Sequence, residues 1–217
     1  MYFEDDIKPH EKIYRMIVEK IEYKKSENWI YEQCKKNDLL NHYLKLQEKG
    51  ILNLLEFQQQ KYKEPKLTIE LVPETCWFSN VRSNVTTSEW NRLKKMTATT
   101  ARYKCEICGG VGDKWPVECH EIWHYDDANY KQTLKGLISL CPDCHSVKHM
   151  GLTNIKGRYI EMTCHLAIVN QWSYNYACGY VSEQFRVWNK RSEYNWKLDI
   201  NWLLQYNIKP RKCDRLI

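Results

Sequence analysis

Two Cys-x2-Cys knuckles, Cys105-Glu-Ile-Cys108 and Cys141-Pro-Asp-Cys144, constrain this chain more than any other feature. Four thiolates at that spacing form the donor set of a closed, tetrahedral structural Zn2+ site, which ties two distant turns together. The interval between the knuckles, residues 109–140, exceeds the roughly 15–20 residues of an ordinary zinc ribbon. Something is therefore inserted between the arms. The 217-residue chain has ten cysteines, and its acidic amino terminus lacks the basic and apolar regions of a secretory signal. A cytoplasmic location is expected, where paired cysteines hold metal rather than disulfides. Cys34, Cys76, Cys164, Cys178 and Cys213 show no such pairing and are expected to be buried free thiols.

The insert carries Val117-Glu-Cys-His-Glu-Ile-Trp123, a strand-like stretch with His120 in its middle. Cys144-His-Ser-Val-Lys-His149 places His145 and His149 four residues apart, on one face of a predicted helix. Two imidazoles in register beside a zinc knuckle, with a third on a strand, point to a second metal site. Under simple alternation Glu118 shares the strand face of His120, while Cys119 and Glu121 point the other way. Asp126 and Asp127 read as a solvated turn, with a metal contact as the second reading. His124 and His165 read as structural.

The order of knuckle, strand with histidine, loop, Leu140-Cys-Pro-Asp-Cys-His145 and Lys148-His149 resembles the HNH endonucleases, whose active site is a ββα-metal finger. Glu118-Cys-His-Glu-Ile-Trp123 and Leu71-Val-Pro-Glu-Thr-Cys-Trp-Phe-Ser-Asn-Val-Arg-Ser-Asn84 are similar to uncharacterised bacterial and phage members, so the likeness covers roughly residues 67–206. The resemblance implies that His120 is a general base, and Glu118, on the same strand face, is read as an orienting group or a substitute metal ligand. The resemblance also implies that His145 and His149, with Cys119, hold a catalytic divalent metal: Mg2+, Mn2+, Ni2+ or Zn2+. Two positions depart from the family. Cys119 stands where an acidic or histidine ligand is usual, and its soft sulfur favours Zn2+. Gly136 stands where the family's asparagine is expected, and Asn129 lies well upstream of that position.

Residues 1–65 hold 12 of the 33 basic and 12 of the 27 acidic residues, so the whole net charge of +6 rests on 66–217. That imbalance suits a polyanion, and Arg82, Arg92, Lys94, Lys95, Lys148 and Arg186 are candidate DNA phosphate contacts. No apolar run approaches the roughly 18 residues of a membrane span.

Ile13, Ile17 and Ile21, then Leu39, Leu40, Tyr43 and Leu44, predict helices in residues 1–64, with Ser26 as an N-cap, Gly50 as an interruption and Pro65 as a boundary. Residues 1–64 read as a helical extension that forms a small core or docks a partner or a second copy. Residues 65–217 read as the nuclease domain. Residues 67–72 and 196–202 alternate like half-buried strands and are expected to pair. Thr86-Thr-Ser-Glu89 is a capping box for a helix through Trp90, Leu93 and Met96. Helices are also predicted at 157–171 and 180–194, the second with Phe185, Val187 and Trp188 inward and Arg186, Lys190 and Arg191 outward. The expectation is an α+β, zinc-stapled finger with a small sheet. Its function is metal-dependent DNA cleavage or, alternatively, nucleic-acid or protein binding without cleavage, or cleavage only when a partner recruits the chain.

Overall fold

A computed structural model describes residues 8–23, 25–26, 28–48, 50 and 64–210. In chain order its helices and strands are α1 (Pro9–Tyr23), α2 (Trp29–Lys36), α3 (Leu40–Glu48), α4 (Val81–Asn84), α5 (Thr87–Thr100), β1 (Glu118–Asp126), β2 (Lys131–Leu140), α6 (Pro142–Lys148), α7 (Met150–Ile155), α8 (Tyr159–Asn170), α9 (Tyr174–Ser192) and β3 (Lys197–Asp199). Glu74–Cys76 and Asn201–Tyr206 form 3-10 turns. The fold is α+β. Among the described residues no helix is long and apolar enough to cross a membrane. Cys213, the first seven residues and most of the polar stretch before Pro65 lie outside the described residues.

The chain divides into two compact units, each discontinuous in sequence. One takes the residues up to Thr68 together with His149–Val181; the other takes Ile69–Lys148 and the residues from Ser182 onward. The amino-terminal helices therefore share a unit with α7 and α8 instead of ending as an extension at Pro65. Their apolar stripe is used internally. Ile13, Tyr14 and Ile17 are buried where α1 packs on α2, α3 and α8, with Ile30, Cys34, Met162 and Leu166 in the same unit's interior. Asn170 at the end of α8 accepts from the backbone N–H groups of Lys66 and Leu67 at 2.8 and 2.9 Å, and donates to the Leu67 carbonyl at 2.8 Å.

The other unit is built on a three-stranded sheet in the order β1-β2-β3, antiparallel between β1 and β2 and parallel between β2 and β3. Thr86 caps α5 as its sequence predicts: its hydroxyl accepts from Glu89 N, and Glu89 accepts from Thr86 N. Leu93 of α5 packs with Val81, Val85, Leu134, Ile200 and Leu203 against one face of the sheet. The register shifts between Ile122 and Trp123, opposite Gly136 and Leu134, so Lys135 is an extra residue in β2. This bulge reverses the alternation of β2. Leu134 and Leu137, three apart in sequence, consequently both belong to the same core.

The pairing expected between 67–72 and 196–202 is not formed. Leu67 and Ile69 are buried as the alternation requires, but no strand is assigned at 67–72. The backbone of 69–72 bonds elsewhere: Glu70 N donates to Lys148 O, and Val72 O accepts from the indoles of Trp77 and Trp188. Only Lys197–Asp199 joins the sheet, beside β2, and the chain then turns into the 3-10 segment. Alternation reports two different environments, not which neighbour supplies the hydrogen bonds.

Candidate metal centres

The sulfurs of Cys105, Cys108, Cys141 and Cys144 lie within 4.8 Å of one another, and Cys108 Sγ is 3.6 Å from Cys141 Sγ. A tetrahedron with Zn–S bonds of about 2.3 Å has edges of about 3.8 Å, so the four thiols fit that ion. Local backbone geometry builds the cluster. Gly109 takes φ +77°, which lets the first knuckle fold back so that Gly109 N donates to Cys105 O, while Gly110 N donates to Cys108 Sγ. At Gly112 a Cβ would stand 2.4 Å from Trp115 O and 2.6 Å from the Pro142 ring, so only glycine passes there. The second knuckle opens α6, with Cys144 N donating to Cys141 Sγ. The sulfurs of Cys105, Cys108 and Cys141 push the Cys144 thiol far above its ordinary range. Four thiolates can share this volume only around a cation.

A second cluster joins His120 of β1, His145 of α6 and His149, the residue directly after α6, again with ligand atoms within 4.8 Å of one another. The sequence places His145 and His149 on one helix, but α6 ends at Lys148 and His149 sits at φ −98°, ψ 45° before α7. The ligand pair survives this break. His120 is buried, and its ring meets that of His145 edge-on with centroids 5.3 Å apart. Burial, reinforced by the neighbouring His120, lowers the pKa of His145 and favours the neutral, ligand-competent ring. Glu118 Oε2 lies 2.5 Å from His145 Nδ1, on the His120 face of β1 as alternation predicts. The donor set of three imidazoles suits a borderline divalent ion such as Zn2+ or Ni2+.

Several expected site residues lie elsewhere. Cys119 is not in the histidine cluster. It faces the opposite side of β1, where burial pushes its thiol up to about 11 despite a hydrogen bond with Thr97 of α5. Glu121 shares that side and accepts from Val81 N and the Trp123 indole. Asp126 closes a turn by accepting from Ala128 N, Asn129 N and the Asn129 side chain, and Asp127 pairs with Arg191. Gly136 lies within β2, opposite Ile122, where a Cβ would meet only ordinary contacts.

Lys148, expected at a DNA phosphate, is buried, with its ammonium 2.5 Å from Glu70 Oε1. Glu70 also contacts His120 Nε2 through Oε2 at 3.1 Å. Burial would raise the Glu70 carboxyl, but the bonds to His120 and Lys148 bring it below the usual range. Sequence reasoning missed Glu70 because it occupies a polar position of an alternating segment and reads as solvent-facing. Its signal was a single carboxylate enclosed by Leu67, Ile69, Leu71 and Val72. Arg82, Lys94 and Lys95 are exposed on α4 and α5, Arg92 donates to Tyr206 O, and Arg186 pairs with Glu183.

The site thus defines a zinc-stapled ββα arrangement, β1-β2-α6, with two metal-ligand clusters, one of four cysteines and one of three histidines. No family model matches the chain, and no curated protein or solved structure matches it.

Proposed function

We propose that this protein is a metal-dependent phosphodiester hydrolase of the HNH endonuclease type, acting on DNA. The observation that carries the reading is the position of His120, buried on the β1 face that Glu118 shares and beside His145 at the start of α6. Hydrolysis of a phosphodiester needs a water deprotonated in line with phosphorus and a cation at the departing oxygen. His120 takes the water's proton. His145 and His149 would hold the divalent ion, which supplies charge neutralisation at the leaving group. Glu118 orients His145, while Cys119 and Glu121 serve the sheet's other face. Arg82, Lys94 and Lys95 offer exposed cations for phosphates, consistent with the basic excess of 66–217.

A plasmid cleavage assay with Mg2+, Mn2+, Ni2+ and Zn2+ tests the reading. His120→Ala should lower cleavage by roughly two to four orders of magnitude while metal content stays at the wild-type level. His145→Ala should lower metal occupancy as well as rate. Loss of the second metal in His120→Ala would make His120 a third ligand and remove it as base. A wild-type protein that binds DNA but cleaves none of it with any of the four ions would leave the second reading, a zinc-held binding module. That reading is favoured by the withdrawal of Cys119 from the cluster. The helices before Pro65 are proposed to serve a protein contact, either a partner or a second copy, through exposed Tyr23, Tyr31 and Leu44.

A further inference from the structure

Glu70 reaches the histidine cluster from a segment that precedes β1, β2 and α6 in the chain and belongs to none of them. One carboxylate joins two elements of the site, with Oε2 3.1 Å from His120 Nε2 on β1 and Oε1 2.5 Å from Lys148 Nζ on α6. Side-chain exposure is 5% for His120, 7% for Lys148 and 21% for Glu70, so water competes weakly for these bonds. A structural ion pair alone would account for Glu70 and Lys148. It would not account for the second oxygen being directed at a ring nitrogen of the proposed base.

We infer that Glu70 is a positioning residue that selects the tautomer of His120, with Lys148 holding the carboxylate in its acceptor role. An ionised carboxylate accepts hydrogen bonds and donates none. The ring nitrogen facing it must therefore carry hydrogen, which places the proton of the neutral imidazole on Nε2 and its lone pair on Nδ1. Nδ1 is then the atom that can take a proton from water. This functional consequence rests on the reading of His120 as the base; the tautomer itself does not. Lys148 contributes by charge: it keeps Glu70 an acceptor on both oxygens, and it fastens that acceptor to the helix that carries His145.

Glu70→Gln tests the inference because the amide keeps the shape but has one acceptor and one donor end. The Lys148 ammonium should take the amide oxygen, turning the NH2 group toward His120 Nε2. The ring must then accept there and carry its hydrogen on Nδ1. Long-range proton–nitrogen spectra of the neutral imidazole in zinc-loaded protein distinguish the two tautomers without any cleavage assay. Wild type should show Nε2–H and Glu70→Gln should show Nδ1–H. The double variant Glu70→Gln/Lys148→Met, in which the amide oxygen can turn back to His120, should show Nε2–H again. In cleavage, kcat of Glu70→Gln should fall about 10- to 100-fold with KM for DNA unchanged, and the double variant should recover. Nδ1–H in wild type overturns the inference, and so does an unchanged tautomer in a folded Glu70→Gln protein. Should Glu70→Gln fail to fold, the wild-type spectrum still decides. If the tautomers behave as stated but wild type cleaves nothing, the endonuclease reading fails and the positioning role stands.

Discussion

Glu118 Oε2 and His145 Nδ1 lie 2.5 Å apart, a contact that joins the first residue of β1 to the helix opened by the second zinc knuckle. With hydrogen on Nδ1, His145 keeps its Nε2 lone pair for a metal. This carboxylate–imidazole pair is the usual support for a histidine ligand.

Removing that support should weaken the second metal site without disturbing the first. Glu118→Ala is expected to lower affinity for Mn2+ or Zn2+ at the histidine cluster by about 10- to 100-fold, read by calorimetry on protein that retains zinc at the four cysteines. Unchanged affinity would show that Glu118 does not support the ligand.

The thiol cluster should govern folding of its unit. Cys108 is the exposed member of the four, so Cys108→Ser leaves packing nearly intact while removing one donor. The variant should lose zinc by elemental analysis and lose cooperative thermal unfolding, because three buried thiols remain with no ion to hold them. A zinc-free variant with wild-type melting would contradict this.

Cys119→Asp distinguishes the two faces of β1. A carboxylate at this position would lie beside Thr97, Glu106 and Glu121 rather than at the histidines. The expected result is a melting temperature lowered by several degrees, in keeping with about 1–3 kcal/mol for a poorly compensated polar group, and an unchanged order of metal preference. A shift toward Mg2+ would place residue 119 at the metal after all.

In the helical unit, Glu161 of α8 joins His10 of α1 and Arg158. Burial would raise its carboxyl, but hydrogen bonds from His10 and Arg158 bring it down to about 2 from the usual 4.5. A depressed carboxyl stabilises the folded state above the unfolded value and loses that stabilisation as pH falls through the folded one. The stability advantage of wild type over Glu161→Gln, about 3 kcal/mol at most, should therefore hold at pH 6 and shrink as pH falls from about 5 toward 2. Denaturant unfolding across that range checks it; an advantage independent of pH would contradict the ion-pair account.

The cysteine knuckles and the His145/His149 pair of the two ligand clusters were legible in the sequence because short-range spacing sets them. A Cys-x2-Cys turn brings two sulfurs together whatever surrounds it, and alternation along 118–123 correctly separated Glu118 and His120 from Cys119 and Glu121. The capping box at Thr86 and Glu89 was legible for the same reason. Periodicity misjudged residues 67–72: Leu67 and Ile69 are buried as expected, but Leu71 is only partly buried and the expected partner strand is not formed.

The sequence alone determined the two cysteine knuckles, the His145/His149 pair, the α5 cap and the strand that carries His120, since each depends on residues a few positions apart whose geometry the backbone restricts; that His120 and not Cys119 joins the histidine cluster was decided by the fold. Tertiary structure decided what depends on long separations. It placed the amino-terminal helices in a unit with 149–181, put the β2 bulge where Leu134 and Leu137 could share a core, and brought Glu70 to His120 and Lys148 across gaps of 50 and 78 residues. Such pairings are fixed by how apolar surface is buried over the whole unit and by the need of an enclosed charge for a partner, and neither leaves a mark at fixed spacing in the chain.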